Sequence, residues 1–183
     1  MITEEIRKFV EDECRKPSSK YGFEPYETHF VSMVKYSLML AENSNVDKEV
    51  VEIAAWLHDI GSIIHGRENH HITGAKIAEE KLTELEYDPE KIELVKKCIL
   101  NHRGSVSGKR ESNEEQLIAD ADGMTMFDRL EGVFMAAFVY ENLGQIEARM
   151  AVRKKMINSY NKLSEDAKII IKPKFEAAML LFS

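Results

Sequence analysis

The sequence predicts an all-α fold. Apolar residues recur three and four positions apart along most of the 183 residues, as they do on the buried face of a helix. No stretch alternates apolar and polar residues between hairpin turn signals, which argues against a sheet. Without a repeat, a low-complexity tract or a linker, the chain is predicted to form one domain over residues 1–183.

The charge balance excludes several classes of partner. The 25 Lys and Arg against 32 Asp and Glu give a net charge of −7, and no block of like charge suggests a nucleic-acid arm or a membrane-surface patch. No nucleic-acid polymer and no membrane is therefore expected as a partner. The charged N-terminus and the absence of about 18 consecutive apolar residues argue against a signal peptide and a membrane span. Cys14 and Cys98 form no CxxC pair and indicate reduced packing thiols, so the predicted location is the cytoplasm.

The first two predicted helices flank a polar loop. The first covers about Thr3 to Glu13, and the loop runs from Arg15 to Tyr21. Pro25 opens the second helix, YETHFVSMVKYSLMLAEN, whose apolar stripe includes His29. An inward-facing histidine needs a polar partner in the core.

The third helix is predicted in the segment DKEVVEIAAWLHDIG. Asp47 is suited to cap its start and Gly61 to end it, and His58 lies on its inward side. A loop is expected next, and the segment HITGAKIAEEKLTEL then has the pattern of a fourth helix.

The fifth predicted helix is DPEKIELVKKCILNH. Asp88 and Pro89 are typical of a helix start, and the helix is expected to end near His102. The following RGSVSGKRESN has the small, polar and basic composition of an exposed loop.

A long central helix is predicted in EEQLIADADGMTMFDRLEGVFMAAFVYE, because its apolar residues occupy every side of the helical wheel. On such a helix Asp122 and Arg129 would share one face. The remaining residues, from Gln145 to Ser183, predict two further amphipathic helices, with Ser164 as a cap and Pro173 as a kink.

Several residues that can bind a metal fall on or beside different predicted helices. Helical bundles build metal sites from imidazole and carboxylate groups that converge in this way. Nitrogen and oxygen ligands suit one or two divalent ions of Fe, Mn, Zn, Ni or Co. The lack of a nearby cysteine pair argues against a structural zinc site with thiolate ligands. The candidate ligands are His29, His58, Asp59, His70, His71, His102, Asp120 and Asp122.

Asp120 and Asp122 are alternatives, because residues two apart on a helix point about 200° apart. The surrounding helix is apolar all round, so periodicity leaves this choice open.

The order His29, His58-Asp59 and a late Asp in IADADGM, together with the run AAWLHDIG, resembles the HD-domain superfamily of metal-dependent phosphohydrolases. The resemblance covers roughly residues 26–130. It implies an HD-type helical bundle, extended here by C-terminal helices over about 143–183. In the family pattern the acid that follows alanine is the ligand, which favours Asp122 over Asp120. The implied ligands of the first metal are His29, His58, Asp59 and Asp122.

The segments HHITGA and ILNHR match the places where superfamily members with two metals have further histidines. The relatives' H-x-x-x-G-A pattern favours His70 over His71. The resemblance therefore implies a second metal held by His70 and His102, with Asp59 bridging both ions.

The resemblance implies a hydrolase that cleaves a phosphomonoester, phosphodiester or phosphoanhydride bond, in a small molecule such as a nucleotide. The nucleophile would be a metal-activated hydroxide, with Asp59 and His58 as catalytic residues. Arg103, Lys109 and Arg110 follow His102 and are candidate phosphate contacts.

Two alternatives stay open at this point. A few HD-fold proteins use a similar ligand set to hold two irons and activate dioxygen, and a degenerate member could bind a nucleotide or a partner without turnover. The apolar C-terminal segment is compatible with a homodimer.

Overall fold

The computed structural model describes residues 1–103 and 110–182, and the regular structure of these residues is helical, which confirms the all-α prediction. Two π-helical turns, Tyr26–Phe30 and Ala136–Tyr140, and a 3₁₀ turn, Met126–Asp128, adjoin the α-helices. The helices are α1 (Ile2–Arg15), α2 (Val31–Ala41), α3 (Lys48–Leu57), α4 (Ile60–His65), α5 (His70–Glu84), α6 (Pro89–Asn101), α7 (Asn113–Thr125), α8 (Leu130–Met135), α9 (Gln145–Lys162) and α10 (Glu165–Leu181).

Helices α2, α3, α6 and α7 pack on one another and form the centre of the molecule. Helix α1 covers α3 through Ile6, Val10 and Cys14, which recur four residues apart and are buried. Helix α5 packs against both α4 and α6. Cys98 is also buried, and both cysteines are free thiols, as the packing role predicts.

The second helix begins with a π-helical turn that the sequence did not predict. Tyr26–Phe30 contains one extra residue per turn, and His29 lies within it with 8% of its surface exposed. A π-turn shifts the direction of the side chains that follow and is frequent at functional sites. It brings His29 beside the end of α3.

Capping residues fix the two helices that lead to the central histidines. The Asp47 carboxylate accepts hydrogen bonds from the backbone N–H groups of Glu49 and Val50 at the start of α3. Asp88 accepts from Glu90 and Lys91 at the start of α6. Both caps confirm the sequence prediction, and His102 follows the last residue of α6 as expected.

The third helix ends earlier than predicted. Helix α3 stops at Leu57, and a second, short helix, α4, occupies residues that were expected to form a loop. Gly61 is thus inside α4 and does not end α3. A Cβ atom at Gly61 would lie 2.2 Å from the His70 carbonyl oxygen and 2.7 Å from the Gly74 nitrogen, so glycine permits the close approach of α4 to α5.

Replacing Asp47 with alanine is expected to lower the free energy of unfolding by about 1 kcal/mol at pH 7, because α3 loses its cap and Lys91 loses a partner 2.9 Å away. Burial raises the pKa of Asp47, but hydrogen bonds from Lys91 and from the backbone of Val50 and Glu49 lower it below its usual value. This stabilisation is present above the unfolded-state pKa and is lost as the pH falls through the lower folded-state pKa.

Chemical denaturation of the wild type and the Asp47→Ala variant between pH 7 and 3 measures this effect. The difference between them should shrink below about pH 4. Asp12→Ala, which removes an exposed carboxylate of α1, serves as the control and should stay within about 0.5 kcal/mol of the wild type. An equal loss at pH 7 and pH 3 would contradict the assignment.

The long central helix of the sequence prediction is broken into two pieces at Arg129. Helix α7 passes into the 3₁₀ turn, and Arg129 then leaves the helical conformation with φ −136° and ψ 54°. Asp128, just before the break, accepts hydrogen bonds from the Tyr36 hydroxyl and the Lys174 ammonium. The predicted common helical face of Asp122 and Arg129 is therefore wrong. No residue of α8 is buried, unlike the apolar residues of α7.

Two long helices complete the described chain. The Ser164 hydroxyl accepts from the Ala167 N–H and caps α10, and Pro173 lies inside α10, as the sequence placed it. Within residues 1–103 and 110–182, no helix combines the length and apolarity that crossing a membrane requires.

Candidate metal centre

Five separate elements supply the candidate ligands. His29 comes from the π-turn before α2, and His58 with Asp59 forms the junction of α3 and α4. His70 is the first residue of α5, directly after Asn69, whose φ of 51° is one that asparagine tolerates better than most residues. His102 follows α6, and Asp122 is in α7.

The first group joins His29, His58 and Asp59. The two Nε2 atoms of the histidines are 2.9 Å apart. The Asp59 Oδ2 atom lies 3.4 Å from the His29 Nε2 and 3.7 Å from the His58 Nε2. One potential ligand atom from each residue lies within 4.8 Å of the others, which is the spacing a single ion needs.

The second group joins Asp59, His70 and His102, so Asp59 belongs to both. Its other carboxylate oxygen, Oδ1, lies 3.2 Å from the His70 Nε2 and 3.7 Å from the His102 Nε2. These atoms also fall within 4.8 Å of one another. The two oxygens of one carboxylate thus face two different histidine pairs.

Backbone carbonyls orient three of the rings. The Nδ1 atom of each ring lies 2.6–2.8 Å from the carbonyl oxygen three residues earlier, at Ala55, Arg67 and Ile99. A carbonyl oxygen only accepts hydrogen bonds, so Nδ1 carries the proton, and in the neutral ring Nε2 keeps its lone pair. The three rings held in this way are those of His58, His70 and His102.

This arrangement leaves acceptors facing acceptors. With His70 neutral, its Nε2 lone pair points at the Asp59 Oδ1 atom, which is buried and has no hydrogen-bond partner among the described residues. Either a proton on each ring or a cation between the atoms is needed to offset this repulsion. A divalent ion satisfies the carboxylate and the rings together, so the donor set fits a metal.

The protonation states agree with this fit. Complete burial lowers the pKa of His58 to about 4, so its ring is neutral at pH 7 and its lone pair is available. Burial alone would raise the pKa of Asp59, but the adjacent rings of His58, His29 and His102 lower it well below its usual value. Neutral imidazole and ionised carboxylate are the forms that bind metals.

The two alternative acids occupy different surroundings. The Asp122 Oδ1 atom is 3.7 Å from the His29 Nε2. Asp120 accepts hydrogen bonds at Oδ1 from the Ser164 N–H and the Gln116 side-chain amide, and so joins α7 to the start of α10. Burial raises the pKa of Asp120, and these bonds oppose that shift. Asp120 therefore has structural partners, whereas Asp122 faces the histidines.

The other sequence candidates lie at the edge of this centre or outside the described residues. The His71 Nδ1 atom is 3.4 Å from an Arg103 guanidinium nitrogen, and His71 belongs to neither group. Arg110 donates to the Asn101 carbonyl oxygen and the Gln116 side chain. Arg103 and Arg110 both line the cavity next to the centre. Lys109, the third predicted phosphate contact, lies outside the described residues.

Arg129 is a cation of the site that the sequence placed near Asp122 but did not include among the phosphate contacts. It lines the same cavity, donates to the Thr28 hydroxyl, and has a buried Nε without a partner among the described residues. Burial lowers its pKa, and the nearby carboxylates of Asp122 and Asp59 oppose that shift. The backbone turn at Arg129 sets the direction of its side chain, in place of the continuous helix that was predicted.

A cavity of about 1280 Å³ opens from the centre towards the C-terminal helices. One wall contains His29, Asp59, His70, His102 and Asp122. Further lining residues belong to α8, the π-turn after it, and α9. The metal centre therefore adjoins a space large enough for a nucleotide-sized molecule.

Comparison with known proteins identifies the family of the chain. The family model described as HD domain matches residues 26–126, more than half of the chain. The chain belongs to the HD domain family. This HD domain family is associated with metal-dependent phosphohydrolases and divalent metals. The matched region contains all six predicted metal ligands, and helices α8–α10 follow it.

Two individual proteins extend the comparison. An uncharacterized protein of Clostridium beijerinckii is 32% identical to this HD domain chain over 101 residues, which cover 53% of the chain and 62% of the relative's length. The crystal structure of Bacillus subtilis YpgQ in complex with ADP superposes with a TM-score of 0.73 and 17% identity, covering 98% of this chain and 93% of YpgQ. At that identity the likeness concerns the fold, including the C-terminal helices.

Proposed function

We propose that this protein is a metal-dependent phosphohydrolase that cleaves a phosphoester or phosphoanhydride bond in a nucleotide. The observation that carries this proposal is the pair of His/Asp groups that share Asp59. Under the proposal His29, His58, Asp59 and Asp122 would hold a first ion, and Asp59, His70 and His102 would hold a second. Divalent ions in such a centre lower the pKa of a bound water to about 7 and neutralise phosphate charge.

The residues around the centre suit a phosphorylated ligand. Arg103, Arg110 and Arg129 line the cavity beside the ligands and can donate to phosphoryl oxygens. Hydrolysis forms a bond from a water oxygen to phosphorus, breaks the bond to the leaving oxygen and transfers a proton to that oxygen. The arginines would hold the phosphoryl oxygens in line during this exchange. The binding of ADP by YpgQ, a protein of the same fold, supports a nucleotide as the small-molecule partner.

The proposal also includes a cytoplasmic location and a homodimer. Cys14 and Cys98 are free thiols, which agrees with a reducing compartment. Ile169 and Leu181 of α10 are exposed by 72% and 66%, which agrees with an apolar contact between copies. Light scattering during size-exclusion chromatography distinguishes a monomer from a homodimer.

The test of the function begins with protein purified without chelator. Metals are quantified per chain, and release of phosphate or nucleoside is measured from nucleoside mono-, di- and triphosphates and dinucleoside polyphosphates. Bound metal with hydrolysis that disappears in Asp59→Asn supports the proposal. Bound iron with oxygen consumption and no hydrolysis would favour an oxygenase, and absence of bound metal after incubation with Mn²⁺, Fe²⁺ or Zn²⁺ would refute both.

Replacing Arg129 with glutamine is expected to lower kcat/KM by about 10- to 100-fold, because a desolvated guanidinium contact to a phosphoryl oxygen is lost. Steady-state kinetics and metal analysis measure this together, and the metal content should stay unchanged. Arg129→Lys should recover part of the activity by restoring the charge. An unchanged kcat/KM in Arg129→Gln would remove this residue from the binding site.

A further inference from the structure

Helix α9 carries a basic surface that lines the same cavity as the candidate metal centre. Between Gln145 and Lys162 the helix has five Lys and Arg residues and one Glu, in a protein with a net charge of −7. Lys154, Lys155, Asn158 and Lys162 all line the cavity. Lys155, Asn158 and Lys162 follow Lys154 by one, four and eight residues, which places all four on one side of the helix. We call these four residues the α9 stripe.

Packing against α7 fixes the position of the α9 stripe. The Ser159 hydroxyl donates to the carbonyl oxygen of Gly123, the residue that follows Asp122. A Cβ atom at Gly123 would lie 2.9 Å from a Leu163 methyl carbon, so the two helices approach closely there. Ala148, Val152 and Met156 are buried on the other side of α9. The stripe is thus attached to the helix that carries a proposed ligand and shares its cavity.

Two adjacent lysines of the stripe, Lys154 and Lys155, take part in no ion pair that would explain them in the described part of the chain. Both side chains are exposed. By contrast, the exposed Lys76 of α5 lies near Glu80, and the exposed Lys97 of α6 lies near Glu111. Two adjacent ammonium groups without partners repel each other, and an anion between them offsets that repulsion. The segment before α9 contributes the acidic residue Glu141 to the cavity lining.

We propose that Lys154, Lys155 and Asn158 bind a phosphoryl group that the metal centre does not hold. The proposal rests on the function proposed above and specifies its substrate class: a molecule with more than one phosphoryl group. One group lies at the metal centre, and another reaches the α9 stripe across the cavity. Lysine ammonium groups and an amide N–H are donors suited to phosphoryl oxygens. The chemistry is shared by nucleoside polyphosphates and dinucleoside polyphosphates.

The experiment measures binding by calorimetry to the metal-loaded full chain, so that turnover is not the readout. One probe is an adenosine triphosphate analogue with methylene groups in place of both bridging oxygens. The other is the corresponding adenosine monophosphonate, which has a single phosphorus group. The test variant is Lys154→Gln/Lys155→Gln. The matched control, Lys76→Gln/Lys172→Gln, removes two exposed helical lysines that do not line the cavity.

The expected result is about tenfold weaker binding of the triphosphate analogue by the test variant. Binding of the monophosphonate should change less than about twofold, as should both probes with the control. Unchanged binding of the triphosphate analogue would overturn the proposal. An equal loss for both probes would also overturn it, because the lysines would then act on the group held at the metals or on the fold. The single variants Lys154→Gln and Lys155→Gln serve if the double variant unfolds.

A second pair of probes distinguishes the two classes of ligand, nucleoside polyphosphates and dinucleoside polyphosphates. Diadenosine tetraphosphate and adenosine triphosphate are compared as substrates in the wild type and the test variant, and the one with the larger loss of kcat/KM identifies the natural class. If the wild type hydrolyses no nucleotide, but the test variant loses affinity for the triphosphate analogue alone, the proposed hydrolase function fails. The phosphate-binding role of the α9 stripe is then retained. If the wild type hydrolyses a nucleotide and the test variant binds the triphosphate analogue as the wild type does, the hydrolase function is supported and the role of the α9 stripe is refuted.

Discussion

Replacing Asp59 with alanine is expected to remove both metals and to lower the rate of hydrolysis by about a thousandfold or more. The reason is that its two carboxylate oxygens serve different groups: Oδ2 faces His29 and His58, and Oδ1 faces His70 and His102. No other residue belongs to both groups within the described part of the chain. Inductively coupled plasma mass spectrometry of purified protein and a phosphate-release assay give the two readouts.

Single histidine variants should behave differently from Asp59→Ala. His102→Ala removes a residue of the second group alone, so it should lose one of the two ions and keep the other. His71→Ala is the matched control, since His71 adjoins His70 in sequence, contacts Arg103 and belongs to neither group. Its metal content should equal that of the wild type.

A structural failure of Asp59→Ala can be separated from a metal effect. Asp59→Asn keeps the shape of the side chain but weakens it as a metal ligand, and circular dichroism reports whether the helices persist. A folded Asp59→Asn protein with both metals bound would contradict the bridging role. Loss of both ions in His102→Ala would show that the two groups do not bind independently.

The sequence predicted the helices whose ends are fixed by local chemistry. Asp47, Asp88 and Ser164 are side-chain caps, and each capped helix begins where it was expected. A cap is a contact between near neighbours in the chain, so sequence alone is enough to identify it. His58 and His102 lie at the opposite ends of the helices that Asp47 and Asp88 cap, and the predicted end was right for α6 but wrong for α3.

Features that depend on contacts between distant segments were not predictable. The break at Arg129 follows a 3₁₀ turn in which Asp128 binds Tyr36 and Lys174, two residues far away in the chain. Apolar residues on every side of the wheel suggested one continuous buried helix, but the segment leaves the core after α7. Arg129 lines the cavity with Asp122, but after a break in the backbone and not along the continuous helix that was predicted. No periodic signal in the sequence indicated that the α9 stripe lines this cavity.

The choice between Asp120 and Asp122 illustrates the limit most directly. Helix geometry alone showed that the two acids point apart but not which one faces the histidines. The contact that separates them is the hydrogen bond from the Ser164 N–H to Asp120, which spans 44 residues of sequence. Only the resemblance to other HD domains favoured Asp122 beforehand, and the assignment of Asp122 as a ligand stays a prediction.

Replacing Gly61 with alanine is expected to be the most damaging change at a position without a polar side chain. The new Cβ atom would lie 2.2 Å from the His70 carbonyl oxygen, 2.5 Å from the Thr73 hydroxyl and 2.7 Å from the Gly74 nitrogen. Two of these atoms belong to the backbone and cannot rotate away. Forcing α4 from α5 should lower the free energy of unfolding by about 3 kcal/mol or more.

The same displacement should disturb the metal centre. Gly61 is two residues after Asp59, and its closest neighbour is the backbone of His70, so it sets the 3.2 Å distance between the Asp59 Oδ1 and His70 Nε2 atoms. Separation of the helices moves His70 away from the carboxylate that it shares with His102. The second metal should therefore bind more weakly in folded Gly61→Ala protein, while the group of His29, His58 and Asp59 keeps its ion.

Gly132→Ala is the matched control, because a Cβ atom there meets only an ordinary contact at 3.9 Å and Gly132 lies inside α8. Alanine favours helix over glycine by up to about 1 kcal/mol, so this variant should be as stable as the wild type or more so. Denaturant unfolding and metal analysis of the two variants make the comparison. If Gly61→Ala matched the wild type in both, the contact between α4 and α5 would not position His70, and the second metal group would need another support.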